Sequence, residues 1–355
     1  MSQNTSKLCL HIGHHKTGST YLQGLLHRNR AVFARAGLIY PHDPSDPSNG
    51  KITSGNGQDL PIGSSNLTEY LKCDQIGNLD LVYSSEFLFD RLTALKGEDD
   101  LKILMRDARA AGFTQISILL FIRNPITHAA SQYMQRIKRD GAIGKISDYF
   151  AHYDTPERVA TLMKAAATVD GMTIEVRNYE RHRKQLASTL CAWLGHPEIM
   201  LAEPAEGKIN RSLSHGEYVM QRRLNRHLGG CASKFLSDPL CECLPQVEAQ
   251  HLCPDHGTQQ AMLTRLASAF EMVARYVEPT EQYDLSLMPP ELPNSPFAMS
   301  KEQLELAIDM LGAEIASLRK TEHQAAQNSL SGRARQIFRA LPQPMQRALR
   351  KILFI

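Results

Sequence analysis

Apolar residues gather along this chain in two rhythms. Short runs at 7–12, 79–83, 116–122 and 172–177 have the length and aliphatic content of strands. The third, with Ile116, Ile118, Leu119, Leu120, Phe121 and Ile122, is apolar enough to be covered on both sides, as in a parallel sheet. Between the runs the period lengthens to that of a helix. Thr20 opens one with Tyr21, Leu22, Leu25 and Leu26, residues 92–111 read as a second, and Asn124-Pro125 supplies a capping residue and a first-turn proline before Ile126. Alternating strands and helices predict an α/β fold, a three-layer α/β/α domain around a mostly parallel sheet, with its ligand crevice at the carboxyl ends of the strands.

Residues 41–68 break the pattern. Pro, Gly, Ser, Asn and Asp fill 19 of these 28 positions, enough to remove any periodicity, so the segment reads as a long loop, a lid or an acceptor wall. After residue 210 the chain is helical. Met262, Leu263, Leu266, Phe270, Val273 and Val277 follow one helical face, and Ser300 with Gln303 form a capping box. Leu304, Ile308, Leu311, Ile315 and Leu318 then follow at 4-3-4-3 spacing, which suits either docking on the main domain or a homodimer contact through 300–320. The expected division is a main domain over 1–290 and a helical C-terminal extension over 291–355.

With 42% hydrophobic and 22% charged residues the chain has the composition of a globular protein, which excludes a disordered or collagen-like chain. No apolar run reaches the length of a membrane span, and the first seven residues lack a signal peptide's apolar stretch. Seven cysteines, an odd and sparse count, argue for reduced thiols, and together these features predict a cytoplasmic address. Net charge is +3, but residues 329–355 hold six cations and no acid, leaving the body at −3. A faintly acidic body predicts no nucleic-acid partner. The basic, partly apolar tail at 332–355 could make peripheral contact with an anionic membrane, although Pro342 and Pro344 interrupt any single helix there. Cys231, Cys241, Cys243, His251, Cys253 and His256 crowd one stretch, yet their spacing matches no standard zinc pattern, so no metal is expected.

The loop after the first strand carries the chemistry: Gly13-His14-His15-Lys16-Thr17-Gly18-Ser19-Thr20. A phosphate-cradling loop needs glycine for tight turns, backbone N–H groups aimed at the anion, a lysine for charge and hydroxyls at the next helix start. All are present. The order departs from G-x-x-x-x-G-K-[ST], because Lys16 precedes the second glycine, which disfavours an ATP-dependent kinase.

Lys16-Thr17-Gly18-Ser19-Thr20 resembles the phosphosulfate loop of the sulfotransferase family, P-K-T-G-T-T or close to it, with Ser19 for one threonine and His15 where proline is frequent. A second family motif is an arginine leaving a strand with a serine eight residues later; Arg123 and Ser131 have that spacing. The resemblance runs over roughly 7–230, with Val176-Arg177-Asn178-Tyr179-Glu180 like the segment after a later core strand and Asn210-Arg211-Ser212 where a further nucleotide loop is expected. It implies a P-loop-like sulfotransferase fold of bacterial type. It also implies 3′-phosphoadenosine 5′-phosphosulfate (PAPS) as co-substrate.

That donor has two anionic ends and needs two anion holes. Backbone N–H groups at 18–20 and the hydroxyls of Thr17, Ser19 and Thr20 would hold the 5′-phosphate at a helix N-terminus, and Arg123 with Ser131 would grip the 3′-phosphate, with Arg211 contributing from the later loop. Lys16 would neutralise charge on the bridging oxygen as the phosphate leaves. For the base, Glu86 leads, at the end of the second strand, where Ser84 or Ser85 could orient it; His14 and His15 are its rivals, and Glu86 is equally a first-turn acid of the next helix. His128 and His215 read as ordinary histidines. The alternatives to a sulfotransferase are a P-loop nucleotide-dependent kinase and a catalytically dead nucleotide-binding module. The acceptor, a glycan, lipid or small molecule, leaves no recognisable mark.

Overall fold

A computed structural model of the chain describes residues 6–14, 16–41, 55–74, 77, 79–95, 98–203, 211–228, 232–249, 252–290, 298–328 and 330–346. Five strands, β1 (Ser6–Ile12), β2 (Leu38–Ile39), β3 (Asp80–Ser85), β4 (Phe113–Ile122) and β5 (Met172–Asn178), form one sheet in the order β2-β3-β1-β4-β5. Every pairing is parallel. Four are the strands that the apolar runs predict. β2, two residues long, is too short to leave a periodic signal.

Side chains alternate across the sheet, so each strand feeds two cores. Leu8, Leu10 and Ile12 of β1 pack on one face with residues of the helices Leu67–Asp74, Glu86–Ala94, Glu98–Ala110 and Thr155–Ala166. Cys9 joins Val82, Leu119 and Phe121 on the other face, under Leu22, Leu25 and Leu26 of helix Ser19–Arg28 and Leu186 and Leu190 of helix Leu186–Trp193. This is the expected three-layer arrangement. The one helix expected over 92–111 is two, Glu86–Ala94 and Glu98–Ala110, because Leu95 turns extended (ψ 141°) and Glu98, Asp99 and Asp100 open a new first turn. Likewise the apolar face over 262–277 belongs to two helices, His256–Arg265 and Ala267–Ala274, separated at Leu266.

The chain leaves β1 toward one face of the sheet and its neighbour β3 toward the other. Diverging connections open a crevice at the carboxyl edge, where an α/β sheet binds ligands. Of the 41–68 loop, residues 42–54 lie outside the described residues. In the remainder Leu60 and Leu67 are buried, and Asn56 makes strand-like bonds to β3, donating from Nδ2 to the Val82 carbonyl (3.0 Å) and accepting at Oδ1 from Ser84 N–H (2.8 Å). Gly55 lets the chain come this close, since a Cβ there would meet the Ser84 carbonyl oxygen at 1.9 Å.

The chain forms two compact units, 1–136 with 143–209 and 250–296, and 137–142 with 210–249 and 297–355. Helix Lys301–Asn328, which precedes the last helix Leu330–Ala340, shares its unit with the helices His215–Leu228 and Ser237–Cys243, because Ala307 packs with Leu236 and Leu240 and Gln303 Nε2 donates to Glu217 Oε1 at 2.7 Å. The predicted capping box forms there: Ser300 Oγ accepts from Gln303 N–H at 3.2 Å, and Gln303 Oε1 accepts from Ser300 N–H at 2.7 Å. Among the described residues no helix is long and apolar enough to cross a membrane, and no three His, Cys, Asp or Glu side chains gather as metal ligands. Cys231 and His251 of the Cys/His stretch lie outside the described residues.

Candidate active site

The loop between β1 and helix Ser19–Arg28 turns on two left-handed residues. Lys16 has φ 71° and is the sole non-glycine with positive φ among the described residues; Gly18, with φ 82°, caps the helix. The N-terminus of the helix that follows adds its partial positive charge, which favours an anion at this end of the loop. Glycine is required at both ends. A Cβ on Gly18 would meet Leu186 Cδ1 at 2.8 Å and Tyr179 Cε2 at 3.2 Å, and one on Gly13 would meet Ser19 Oγ at 2.0 Å.

The loop hydroxyls divide their work in a way the sequence does not reveal. Thr17 Oγ1 and Ser19 Oγ are buried and both donate to the His14 carbonyl, at 2.9 and 3.3 Å. These bonds close the loop on itself. Thr20, in the first turn of the helix, is exposed. His15 lies outside the described residues.

At the end of β4, Asn124 caps helix Pro125–Arg139, its Oδ1 accepting from Ile126 and Thr127 N–H at 2.9 and 3.1 Å, as the Asn-Pro pair predicts. Arg123 therefore stands at the carboxyl edge beside the β1 loop. Its Nη1 donates to the Lys16 carbonyl at 3.2 Å and its Nε to Glu180 Oε1 at 3.2 Å, while the guanidinium carbon lies 5.7 Å from the centroid of the Tyr179 ring. Nη2 has no hydrogen-bond partner among the described residues, so the fork keeps donors for an anion. Glu180 also accepts from Asn124 N–H at 3.4 Å, which pins the arginine to its own backbone. Ser131 is half-buried on the same helix, about two turns beyond its start, and no described contact joins it to Arg123.

Arg211 behaves otherwise. Its two terminal nitrogens pair with both carboxylate oxygens of Glu217 at 2.6 and 2.7 Å, and its remaining N–H groups reach the carbonyls of Ser212, Leu240 and Leu244. All five donors are spent inside the second unit. Arg211 has none left for a nucleotide, and the binding role expected for it gives way to a structural one. Asn210 lies outside the described residues.

Glu86 is half-buried and is the first residue of helix Glu86–Ala94. Because Ile12 pairs with Ser85 across the sheet, Glu86 lies at the level of Gly13, next to the loop. The serines before it are committed elsewhere. Ser85 Oγ caps the helix by accepting from Phe87 N–H at 3.2 Å, and Ser84 Oγ lies 2.7 Å from His11 Nδ1. His11 is wholly enclosed, and burial pulls its pKa down to about 4, so the imidazole is neutral under the loop.

His14 is buried with its ring 4.5 Å from Phe89 and 4.9 Å from His128. His128 in turn has Nδ1 2.7 Å from the Tyr153 hydroxyl, whose pKa burial drives far upward, so that it keeps its proton. Two imidazoles and a phenol thus back the loop. Sequence reasoning passed over His128 because nothing local marks it; its position one helical turn beyond Asn124 is the signal that could have found it. Tyr179 and Glu180 were noted only as a segment after a strand, and their grip on Arg123 is visible only in three dimensions.

The sequence matches no family model and no curated protein. Among solved structures the chain is similar to a sulfotransferase from Alicyclobacillus acidocaldarius, at 13% identity over 76% of this chain and 95% of that one, with a TM-score of 0.38. It is also similar to a retinol dehydratase in complex with androsterone and the inactive cofactor PAP, at 12% identity over 88% of this chain and 81% of that one, with a TM-score of 0.24. Likenesses this distant leave the function to be read from the crevice itself.

Proposed function

We propose that this chain is a sulfotransferase that uses PAPS as donor and a hydroxyl, less readily an amine, of a glycan, lipid or small molecule as acceptor. The observation that carries the reading is the bond from Arg123 to the Lys16 carbonyl: two anion-binding elements, 107 residues apart in the chain, meet at one edge of the sheet. A donor with a 5′-phosphosulfate and a 3′-phosphate needs such a pair. The 5′-phosphate sits over the loop and the N-terminus of helix Ser19–Arg28, and the 3′-phosphate takes the free N–H groups of Arg123, with Ser131 as a second donor.

In this reading the acceptor oxygen attacks sulfur in line. Its bond to sulfur forms as the bond from sulfur to the bridging oxygen breaks, and adenosine 3′,5′-bisphosphate leaves. Lys16 meets the charge that builds on the bridging oxygen, a contribution of about 3–4 kcal/mol by analogy with other preorganised donors. Glu86, beside Gly13, takes the proton from the acceptor. A sulfuryl group carries less negative charge than a phosphoryl group, so cationic side chains suffice for this step.

Titration calorimetry tests the reading. Adenosine 3′,5′-bisphosphate binds at least tenfold more tightly than AMP if both anion holes are used, since one charge-assisted contact is worth roughly 1.5–3 kcal/mol. Equal affinity for the two overturns it, and chelator-sensitive transfer from ATP instead assigns the crevice to a kinase.

A further inference from the structure

Helix Lys301–Asn328 has two apolar faces, and the second unit uses only one. Gln303 and Ala307 are buried against its core. Along the 4-3-4-3 seam, for which docking and a dimer contact are both open, Ile308 is 67% exposed, Ile315 52%, Leu318 59% and Leu304 39%, while Leu311 is half-buried. The docked stripe adjoins the heptad seam, since Gln303 and Ala307 each lie one residue, about 100° around the helix, before Leu304 and Ile308, and most of the seam remains open to solvent.

Placed in heptad register, the seam has Ile308 and Ile315 at a and Leu304, Leu311 and Leu318 at d. β-Branched residues at a with leucine at d favour parallel two-stranded coiled coils, since each a side chain projects parallel to its partner's backbone and each d side chain across it. The flanks agree. Glu314 occupies g and Arg319 the following e, positions that face each other across a parallel in-register pair, so two copies gain two opposite-charge contacts by symmetry. Neither residue forms an ion pair among the described residues.

We propose that this chain is a parallel homodimer joined by a coiled coil over residues 304–318. The occupant of the exposed seam is the same seam of a second copy. Five core layers make a short zipper, so dimerisation is concentration-dependent in the micromolar range rather than obligate.

Sedimentation equilibrium on the full chain, from low micromolar concentration upward, tests this. Twice the chain mass at high concentration is expected, with I308K/I315K remaining monomeric and keeping the wild-type circular dichroism and melting profile, since both positions face solvent in the single chain. E314R weakens association, and adding R319E restores it. For orientation, I315C cross-links to its counterpart on oxidation, whereas S317C, on the outer face, does not. A wild-type monomer at every concentration overturns the proposal. So does a dimer indifferent to I308K/I315K, which would use another surface, or one in which I315C fails to cross-link.

Discussion

Arg123 reaches across the crevice to donate from Nη1 to the carbonyl oxygen of Lys16 at 3.2 Å. Lys16 holds the left-handed backbone that few non-glycine residues adopt, at a cost on the order of 1–2 kcal/mol. The bond from Arg123 helps to offset that cost. The two arms of the proposed donor site are therefore mechanically linked.

Removing Arg123 reads on the 3′-phosphate. Arg123→Ala weakens adenosine 3′,5′-bisphosphate by about 10–100-fold, the worth of a charge-assisted contact, and leaves AMP within a few-fold. Arg123→Lys rescues little, because a single ammonium cannot hold Glu180, the Lys16 carbonyl and a phosphate together. Calorimetric titrations with both nucleotides check this; parallel losses for both would assign Arg123 to loop geometry alone.

Lys16→Ala lowers turnover by roughly 10²–10³-fold while the protein melts within a few degrees of wild type. Alanine suffers the same left-handed strain as lysine, so the substitution removes charge without a new backbone cost. Single-turnover sulfate transfer beside a thermal melt separates the two effects.

Glu86→Gln abolishes turnover and preserves binding of adenosine 3′,5′-bisphosphate, because glutamine keeps the shape and loses the proton acceptor. Near-normal turnover would move the base to His14 or His15. His128, 4.9 Å from His14 between ring centroids, would then be the next residue to vary.

Arg211→Ala destabilises the second unit by about 3–5 kcal/mol, since it strands Glu217 in a buried site. Burial alone would raise the Glu217 pKa, but its bonds to Arg211, to Ser214 N–H and to Gln303 outweigh that and hold it below the usual carboxylate value. A depressed carboxylate stabilises the fold above its unfolded pKa, about 4.3, and loses that contribution as pH falls further. Chemical denaturation shows the loss in Arg211→Ala, while affinity for adenosine 3′,5′-bisphosphate stays unchanged in the folded fraction; a selective loss of nucleotide affinity would return Arg211 to the binding site.

The enclosed His11 sets a separate acid limit. With a folded pKa of about 4 against roughly 6.5 in the unfolded chain, the unfolded state binds the extra proton between those values. Stability is complete above pH 6.5 and declines by about 3 kcal/mol as pH falls to 4. His11→Gln flattens that part of the profile, and an unchanged slope in its urea midpoints would place the acid sensitivity elsewhere.

What was legible beforehand was local. Runs such as 116–122 announce buried parallel strands because a strand covered on both faces must be apolar at nearly every position. The Gly13–Thr20 loop and the Asn124-Pro125 cap are equally readable, since turns and caps are satisfied by near neighbours. β2 escaped notice because two residues hold no period, and the break at Leu95 because Leu92 to Ala111 keeps its apolar rhythm across it.

By itself, then, the sequence determined the strand and helix alternation, the loop that ends β1 and the arginine that ends β4, all matters of spacing within a few residues. Only the tertiary structure decided that Glu180, 57 residues away, would hold Arg123, that Glu217 and three backbone carbonyls would consume every donor of Arg211, and that Ile308, Ile315 and Leu318 would stay exposed. Side-chain donors and apolar faces carry no address in the chain; which partner satisfies each is settled by packing, when burial forces every polar group to find one.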